Sequence, residues 1–117
     1  MVFEKLESID QERDLDDFDV QMETAMYYFR VGEAQRKLER VDEATKRYEQ
    51  ALELNQSHLP SLEAVAPLYV SGERWADAHK VLRQVLQLTG GQGDSQRLGR
   101  VYGNLGIVEY RQGNTDK

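Results

Sequence analysis

Apolar side chains recur along this chain at the three-to-four-residue spacing of amphipathic helices, and one set of them occurs twice. Tyr28, Val31, Gly32, Val41, Ala44, Tyr48, Ala51, Leu52 and Leu54 return 34 positions later as Leu62, Val65, Ala66, Trp75, Ala78, Leu82, Val85, Leu86 and Leu88. Bulky slots stay bulky and the two tightest slots stay small. The spacing predicts a first helix over 20–38, with Met22, Ala25, Met26, Phe29 and Gly32 on its inner face and Tyr28, Val31 and Gln35 widening it. A turn follows near 39–41. Asp42 is expected to cap a second helix over 43–54, with Ala44, Tyr48, Ala51 and Leu52 inward. The polar stretch 55–58 reads as a loop. Pro60 then suits the first turn of a third helix over 60–70, where its missing N–H costs nothing. Pro67 lies inside that helix, removes the bond to the Glu63 carbonyl, and predicts a kink. After a turn at 71–73, a fourth helix is expected over 75–88, with Ala78, Leu82, Val85 and Leu86 inward. A glycine-rich loop at 89–95 leads to a fifth helix over 96–111. Gly113 and Asn114 make a further turn, after which Thr115 or Asp116 is placed to cap a sixth helix.

A fixed period of this size marks an array of helix–turn–helix units. Two antiparallel helices approach closely only where side chains are small, and Gly32 opposite Ala44, then Ala66 opposite Ala78, are read as those points. Ala51 and Leu54 are expected to pack towards the helix bearing Leu62, and Val85 and Leu88 towards the helix bearing Tyr102. No unit buries its apolar face alone, so neighbours must stack. The pattern returns once more, with Tyr102, Leu105 and Gly106 matching Leu62, Val65 and Ala66, and the extra residues fall in the 90–95 loop. The partner slot for Gly106 lies one position past Lys117, so the third unit is expected to be cut in half. The division expected is an acidic segment at 1–19, partly helical or linker, and a repeat domain at 20–117. Its units are 25–58, 59–92 and a truncated 99–117.

These residues resemble the tetratricopeptide repeat family. The resemblance is carried by Tyr28-x₂-Val31-Gly32 with Ala44-x₃-Tyr48-x₂-Ala51, by Ala66-x₂-Tyr69 with Trp75-x₂-Ala78-x₃-Leu82, and by Tyr102-x₂-Leu105-Gly106 with Gly113. It covers about 25–117. The departures are Gln56 and Gly90 where the family closes a unit with proline, Gln35 where an aromatic is usual, and Pro67 within a first helix. The resemblance implies an all-α, right-handed superhelix of about two and a half repeats. Its concave groove would be lined by the first helix of each unit and hold an extended peptide or a partner helix. Groove-facing residues by this analogy are Met26, Phe29, Glu33, Arg36 and Lys37, then Glu63 and Val70, then Arg100, Gly103, Asn104, Ile107, Tyr110 and Arg111. A well-known family use clamps the C-terminal carboxylate of chaperone tails. Here the matching slots hold Phe29, Glu33, Ala64, Arg100 and Asn104, and Glu33 would repel a carboxylate, so that use is not expected.

Composition narrows the function further. A formal net charge of −6 argues against nucleic acid or an anionic membrane as partner and mildly favours basic ones. There are no cysteines, which excludes disulfides and thiol chemistry. No apolar run is long enough to span a membrane, and the N-terminus has no secretory pattern, so the cytoplasm is the expected compartment. Asp14, Asp16, Asp17 and Asp19 lack the glycine that a calcium loop needs at its sharp turn, since no glycine precedes Gly32. The 89–95 loop follows a helix rather than a strand, which is wrong for a phosphate cradle. His58 and His79 have no partners at catalytic or metal spacing. The expectation is therefore a non-catalytic protein–protein interaction scaffold without cofactor. The alternatives are self-assembly as a homodimer through an uncovered end, with Leu105 and Val108 at the contact, or a regulatory domain of a larger enzyme.

Overall fold

The computed structural model describes residues 20 and 22–113, and these form five helices without a strand. They are α1 (22–37), α2 (Val41–Leu54), α3 (Leu59–Ser71), α4 (Trp75–Thr89) and α5 (Ser95–Arg111). The expected turn at 114 and the sixth-helix caps lie outside the described residues, as does the acidic segment 1–19. Successive helices pack on each other, and α3 also touches α5, which makes an all-α array of helix–turn–helix units.

The two turns inside the units are built alike. At the end of α1, Glu39 takes the left-handed conformation (φ 62°), its N–H bonds the Arg36 carbonyl at 2.9 Å, and the Arg40 N–H bonds the Gln35 carbonyl at 2.9 Å. At the end of α3, Glu73 does the same (φ 60°), with Glu73 N–H on Val70 at 3.1 Å and Arg74 N–H on Tyr69 at 2.8 Å. This is the paired-bond helix ending that usually places glycine at the left-handed residue. Here glutamate accepts the strain both times.

That ending also decides where the next helix begins. The Arg40 carbonyl accepts the Ala44 N–H at 2.9 Å, so α2 starts at Val41 with Arg40 as its N-cap. Asp42 is thus not the cap. It lies inside the first turn beside Glu43, where a carboxylate still meets the positive end of the helix dipole. The α3 helix holds Pro60 in its first turn and runs through Pro67 to Ser71. Asp94 caps α5 by accepting the Arg97 N–H at 2.7 Å, which makes Ser95 helical rather than part of the loop.

The core is one cluster running from Ala44 and Tyr48 through Leu62, Val65, Ala66, Tyr69, Ala78, Val81, Leu82 and Val85 to Val101, Leu105 and Val108. Gly32 is buried against the Tyr48 ring, and a β-carbon there would stand 2.8 Å from Tyr48 Cε1. Ala66 and Ala78 are both buried, as their small size requires for close packing of α3 on α4.

Two packing expectations change. Leu88 is 47% exposed and does not join the core. In α5 the buried stripe is Val101, Leu105 and Val108, while Tyr102 is 54% exposed and Gly106 has nothing within 4 Å of an added β-carbon. Among the described residues, the α5 helix packs on α4 and α3. The face that would match the α4-covered face of α3 has no helix on it among the described residues. Leu105 and Val108 therefore point into the core, and the residues left uncovered there are Tyr102 and Tyr110.

Candidate partner-binding groove

A cleft of about 370 Å³ crosses the face formed by α1, α3 and α5. Phe29, Glu33 and Arg36 line it from α1, Pro60, Glu63, Ala64 and Pro67 from α3, and Arg100 from α5. A smaller cleft of about 120 Å³ continues between α3 and α5, where Arg97 and Asn104 join Glu63, Pro67 and Arg100 above an apolar floor of Ala66, Leu82, Val85 and Val101. The first helix of each unit thus contributes to one continuous surface.

Helical spacing places these side chains. Phe29, Glu33 and Arg36 rise along α1 at four- and three-residue steps, as do Pro60, Glu63, Ala64 and Pro67 along α3. Phe29 is half-buried and fixed from both sides. Its ring lies 5.9 Å from the Tyr48 ring and 5.7 Å, edge-on, from His58. His58 is buried, and its Nδ1 lies 2.6 Å from Ser61 Oγ. Its Nε2 has no partner among the described residues, and burial pushes the imidazole below its ordinary pKa, which favours the neutral form.

The two carboxylates of the groove are engaged. Glu33 accepts hydrogen bonds from the Tyr48 hydroxyl and from Arg36 Nε, the latter at 3.2 Å. Burial by itself would raise the Glu33 carboxyl. The bonds from Tyr48 and Arg36 and the charges of Arg36 and Lys37 outweigh it, and the carboxyl sits below its usual value. The same contact works on Tyr48, whose hydroxyl is pushed up to about 12 by burial and by its bond to Glu33. Glu63 is gripped by Arg97, with Nε at 2.7 Å from Oε2 and Nη2 at 3.3 Å from Oε1, a two-pronged pair that ties α3 to α5. Arg100 is exposed and forms no ion pair among the described residues.

The sequence-predicted residues separate into groups. Phe29, Glu33, Arg36, Glu63, Arg100 and Asn104 meet in the two clefts. Met26 is half-buried and Lys37 is exposed, and neither lines them. Val70 packs against the core cluster. Gly103, Ile107 and Tyr110 lie on the exposed side of α5, and Arg111 stacks over the Trp75 ring at 5.7 Å. The sequence reading missed Arg97, Pro60 and Pro67 as groove residues and Tyr48 as the partner of Glu33. The sequence marks Pro60 as a first-turn residue, Pro67 as an oddity of α3 and Tyr48 as core, and none of these readings points to the groove. On the opposite face, α2 and α4 enclose a cleft of about 350 Å³ lined by Glu49, Leu52, Glu53, Tyr69, Asp77 and Lys80, among others. Among the described residues no cluster of histidine, aspartate and glutamate could hold a metal ion, and no helix is long and apolar enough to cross a membrane.

The sequence model of one family, described as Tetratricopeptide repeat, matches residues 25–58, the stretch that contains most of α1 and all of α2. That match supports a tetratricopeptide repeat in this stretch, and the all-α helix–turn–helix array is consistent with it. No curated protein matches the chain. Tetratricopeptide repeats generally mediate protein–protein interaction and are typically non-catalytic scaffolds.

Proposed function

We propose that this chain is an interaction scaffold whose partner segment lies in the groove across α1, α3 and α5. One observation carries the reading: three helices from three successive units line a single cleft that combines an apolar wall with guanidinium groups. Recognition by such a surface depends on a few anchors rather than on total area. Phe29, held by Tyr48 and His58, is a rigid aromatic anchor of this sort. Selection of random dodecapeptides displayed on phage tests it. Ala64→Arg would fill the cleft from α3, whereas Gln84→Arg would fill the cleft between α2 and α4 on the other face. Binders that survive Gln84→Arg and are lost with Ala64→Arg support the groove. The opposite pattern overturns it, with circular dichroism confirming that both variants fold. Phe29→Asp is a poor probe, because it would also remove the packing of that ring on Tyr48 and His58.

A second reading, self-association, is favoured by the uncovered side of α5, where Tyr102 and Tyr110 are 54% and 70% exposed. Light scattering over a range of concentrations tests it. A mass that rises with concentration and falls back with Tyr102→Asp supports this reading, and a constant monomer mass removes it.

A further inference from the structure

We propose that the cleft between α2 and α4, on the face opposite the groove, is a second docking site that takes a lysine or arginine side chain from a basic segment of a partner protein. The charged head meets Glu53, and the aliphatic stem crosses Leu52, Leu62 and Val81. The cleft encloses about 350 Å³, at the small end of the range for ligand sites, which suits one long side chain. Its floor is apolar, since Leu62 and Val81 are buried and Leu52 packs against the same cluster. Lysine and arginine are the side chains that combine such a stem with a positive charge at its tip.

The sign of the ligand follows from the charges of the cleft. Glu49 and Glu53 line it from α2, and Asp77 and Lys80 from α4, so three carboxylates face one ammonium. Arg74, beside the cleft at the head of α4, holds Glu49 at 3.1 Å and Asp77 at 3.0 Å. Tyr69 donates a further hydrogen bond to Glu49 at 2.6 Å. With Arg74 counted, one negative charge remains, and Glu53 is the carboxylate with neither an ion pair nor a hydrogen bond among the described residues. Lys80, on the other wall, comes within ion-pair distance of no carboxylate among them. The net charge of −6 adds a wider field that draws basic molecules towards the chain.

Glu53 is also badly placed for the chain's own stability. It stands one helical turn from Glu49, and like charges at that spacing repel. It lies in the last turn of α2, where the helix dipole is negative and no basic residue offsets it. A cation in the cleft reverses both effects, because it pairs with Glu53 and meets the negative end of α2 at the same time. The carboxylates of α2, the end of that helix and the apolar floor thus converge on one kind of ligand.

The test is an NMR titration of the full, isotope-labelled chain with the blocked tripeptides Gly-Arg-Gly and Gly-Lys-Gly, with Gly-Gln-Gly as the neutral control. Backbone amide signals over 49–56 and 77–84 should move with the two charged tripeptides and stay still with the neutral one. Glu53→Gln should weaken Gly-Arg-Gly by about threefold, the size of a half-exposed ion pair. Gln84→Arg, which places a guanidinium in the cleft, should abolish the response. Glu43→Gln removes the same charge from the exposed first turn of α2, outside the cleft, and should change the affinity far less. Glu53→Gln should also raise the melting temperature of the unliganded chain by about 2–4 °C, since it removes a repulsion and a misplaced charge. Signal changes scattered over the chain's carboxylates, or equal losses with Glu53→Gln and Glu43→Gln, would mean general attraction to an acidic protein and overturn the site. Still signals at 49–56 and 77–84 overturn it as well. So does a chain destabilised by Glu53→Gln, which would show that this carboxylate is already held within the fold. The groove on the other face is judged by Ala64→Arg and is independent of these results.

Discussion

Two glycines that occupy the same slot of the repeat should respond oppositely to the same substitution. Gly32 and Gly106 both stand at the small position of a unit's first helix, and replacing either by alanine removes the backbone penalty of a helical glycine, about 1 kcal/mol. At Gly106 an added β-carbon has nothing within 4 Å among the described residues, so the gain is kept. Gly106→Ala should raise the melting temperature by about 4–8 °C, the shift that 1 kcal/mol gives a domain of this size. At Gly32 the β-carbon would stand 2.8, 3.0 and 3.2 Å from Cε1, Cδ1 and Cζ of Tyr48. That ring is fully buried and its hydroxyl is tied to Glu33, so it cannot swing aside freely. Forcing a methyl into such packing costs about 1–3 kcal/mol. Gly32→Ala should therefore come out between neutral and about 2 kcal/mol less stable, the overpacking outweighing the helix gain. Thermal melts by circular dichroism, with urea titrations for the free energies, would read both changes. A drop in stability for Gly106→Ala comparable to that for Gly32→Ala would refute the reasoning, since it would mean that another helix covers α5 as α4 covers α3. A gain for Gly32→Ala would show that Tyr48 yields more easily than its packing implies.

Other expectations are simpler. Leu62, 1% exposed at the centre of the cluster, should cost about 2–5 kcal/mol when replaced by alanine, read from the urea midpoint at unchanged slope. Tyr48→Phe keeps the ring and removes the bond to Glu33, so it should cost about 0.5–1.5 kcal/mol, and a double-mutant cycle with Glu33→Gln should assign that loss to the pair. The Glu33 carboxyl is depressed in the folded chain, so its contribution is present above the ordinary carboxylate range and is lost as pH falls through the folded value. Glu33→Gln should flatten that part of the acid limb. His58 is depressed as well, so the unfolded chain binds a proton first on acidification; stability should hold at neutral pH and decline as pH falls below about 6.5. His58→Asn should reduce this decline in urea titrations at neutral and mildly acid pH, and an unchanged decline would place its origin elsewhere.

The number and order of the helices could be read from the sequence because each helix buries one stripe, and a stripe leaves a period. The small slots were legible as points of close approach, but Gly32 was expected opposite Ala44, and the nearest atoms to a β-carbon there belong to the Tyr48 ring. The unit turns were visible in principle. Glu39-Arg40 and Glu73-Arg74 repeat at the same 34-residue interval, but a left-handed glutamate is not a turn signal that composition suggests. Hence the cap of α2 was expected at Asp42 and stands at Arg40. For α5 the expected inward residues were one position off at Tyr102, because the repeat alignment assumes a helix on both sides and α5 has neighbours on one. Of the positions expected in a groove, Phe29, Glu33, Arg36, Glu63, Arg100 and Asn104 line the two clefts, while Met26, Lys37, Val70, Ile107, Tyr110 and Arg111 do not. The charge of the groove was not legible, because whether Glu33 and Glu63 face a ligand or an arginine depends on side-chain pairing between helices, and one residue of the second pair, Arg97, belongs to no repeated slot.

Polar straps tie successive units together on both faces of the array. On the groove side Glu63 joins α3 to α5 through Arg97. On the other side Tyr69 of α3 donates to Glu49 of α2 at 2.6 Å, and Arg74 at the head of α4 reaches Glu49 at 3.1 Å and Asp77 at 3.0 Å while lying 4.4 Å above the Tyr69 ring. Arg74 is also the residue that closes the α3 turn through its N–H on Tyr69. The charged groups in these straps are a quarter to a half exposed, and such pairs each contribute little to stability, about 0–1 kcal/mol. Apolar burial along the Leu62–Val85 cluster is the far larger contribution, but it is non-directional and would tolerate small rotations of one unit on the next. Directional bonds do not tolerate them. The straps therefore matter chiefly for the angle between units, and in an array whose cleft is shared by three helices, that angle sets how far Phe29 on α1 stands from Arg100 on α5.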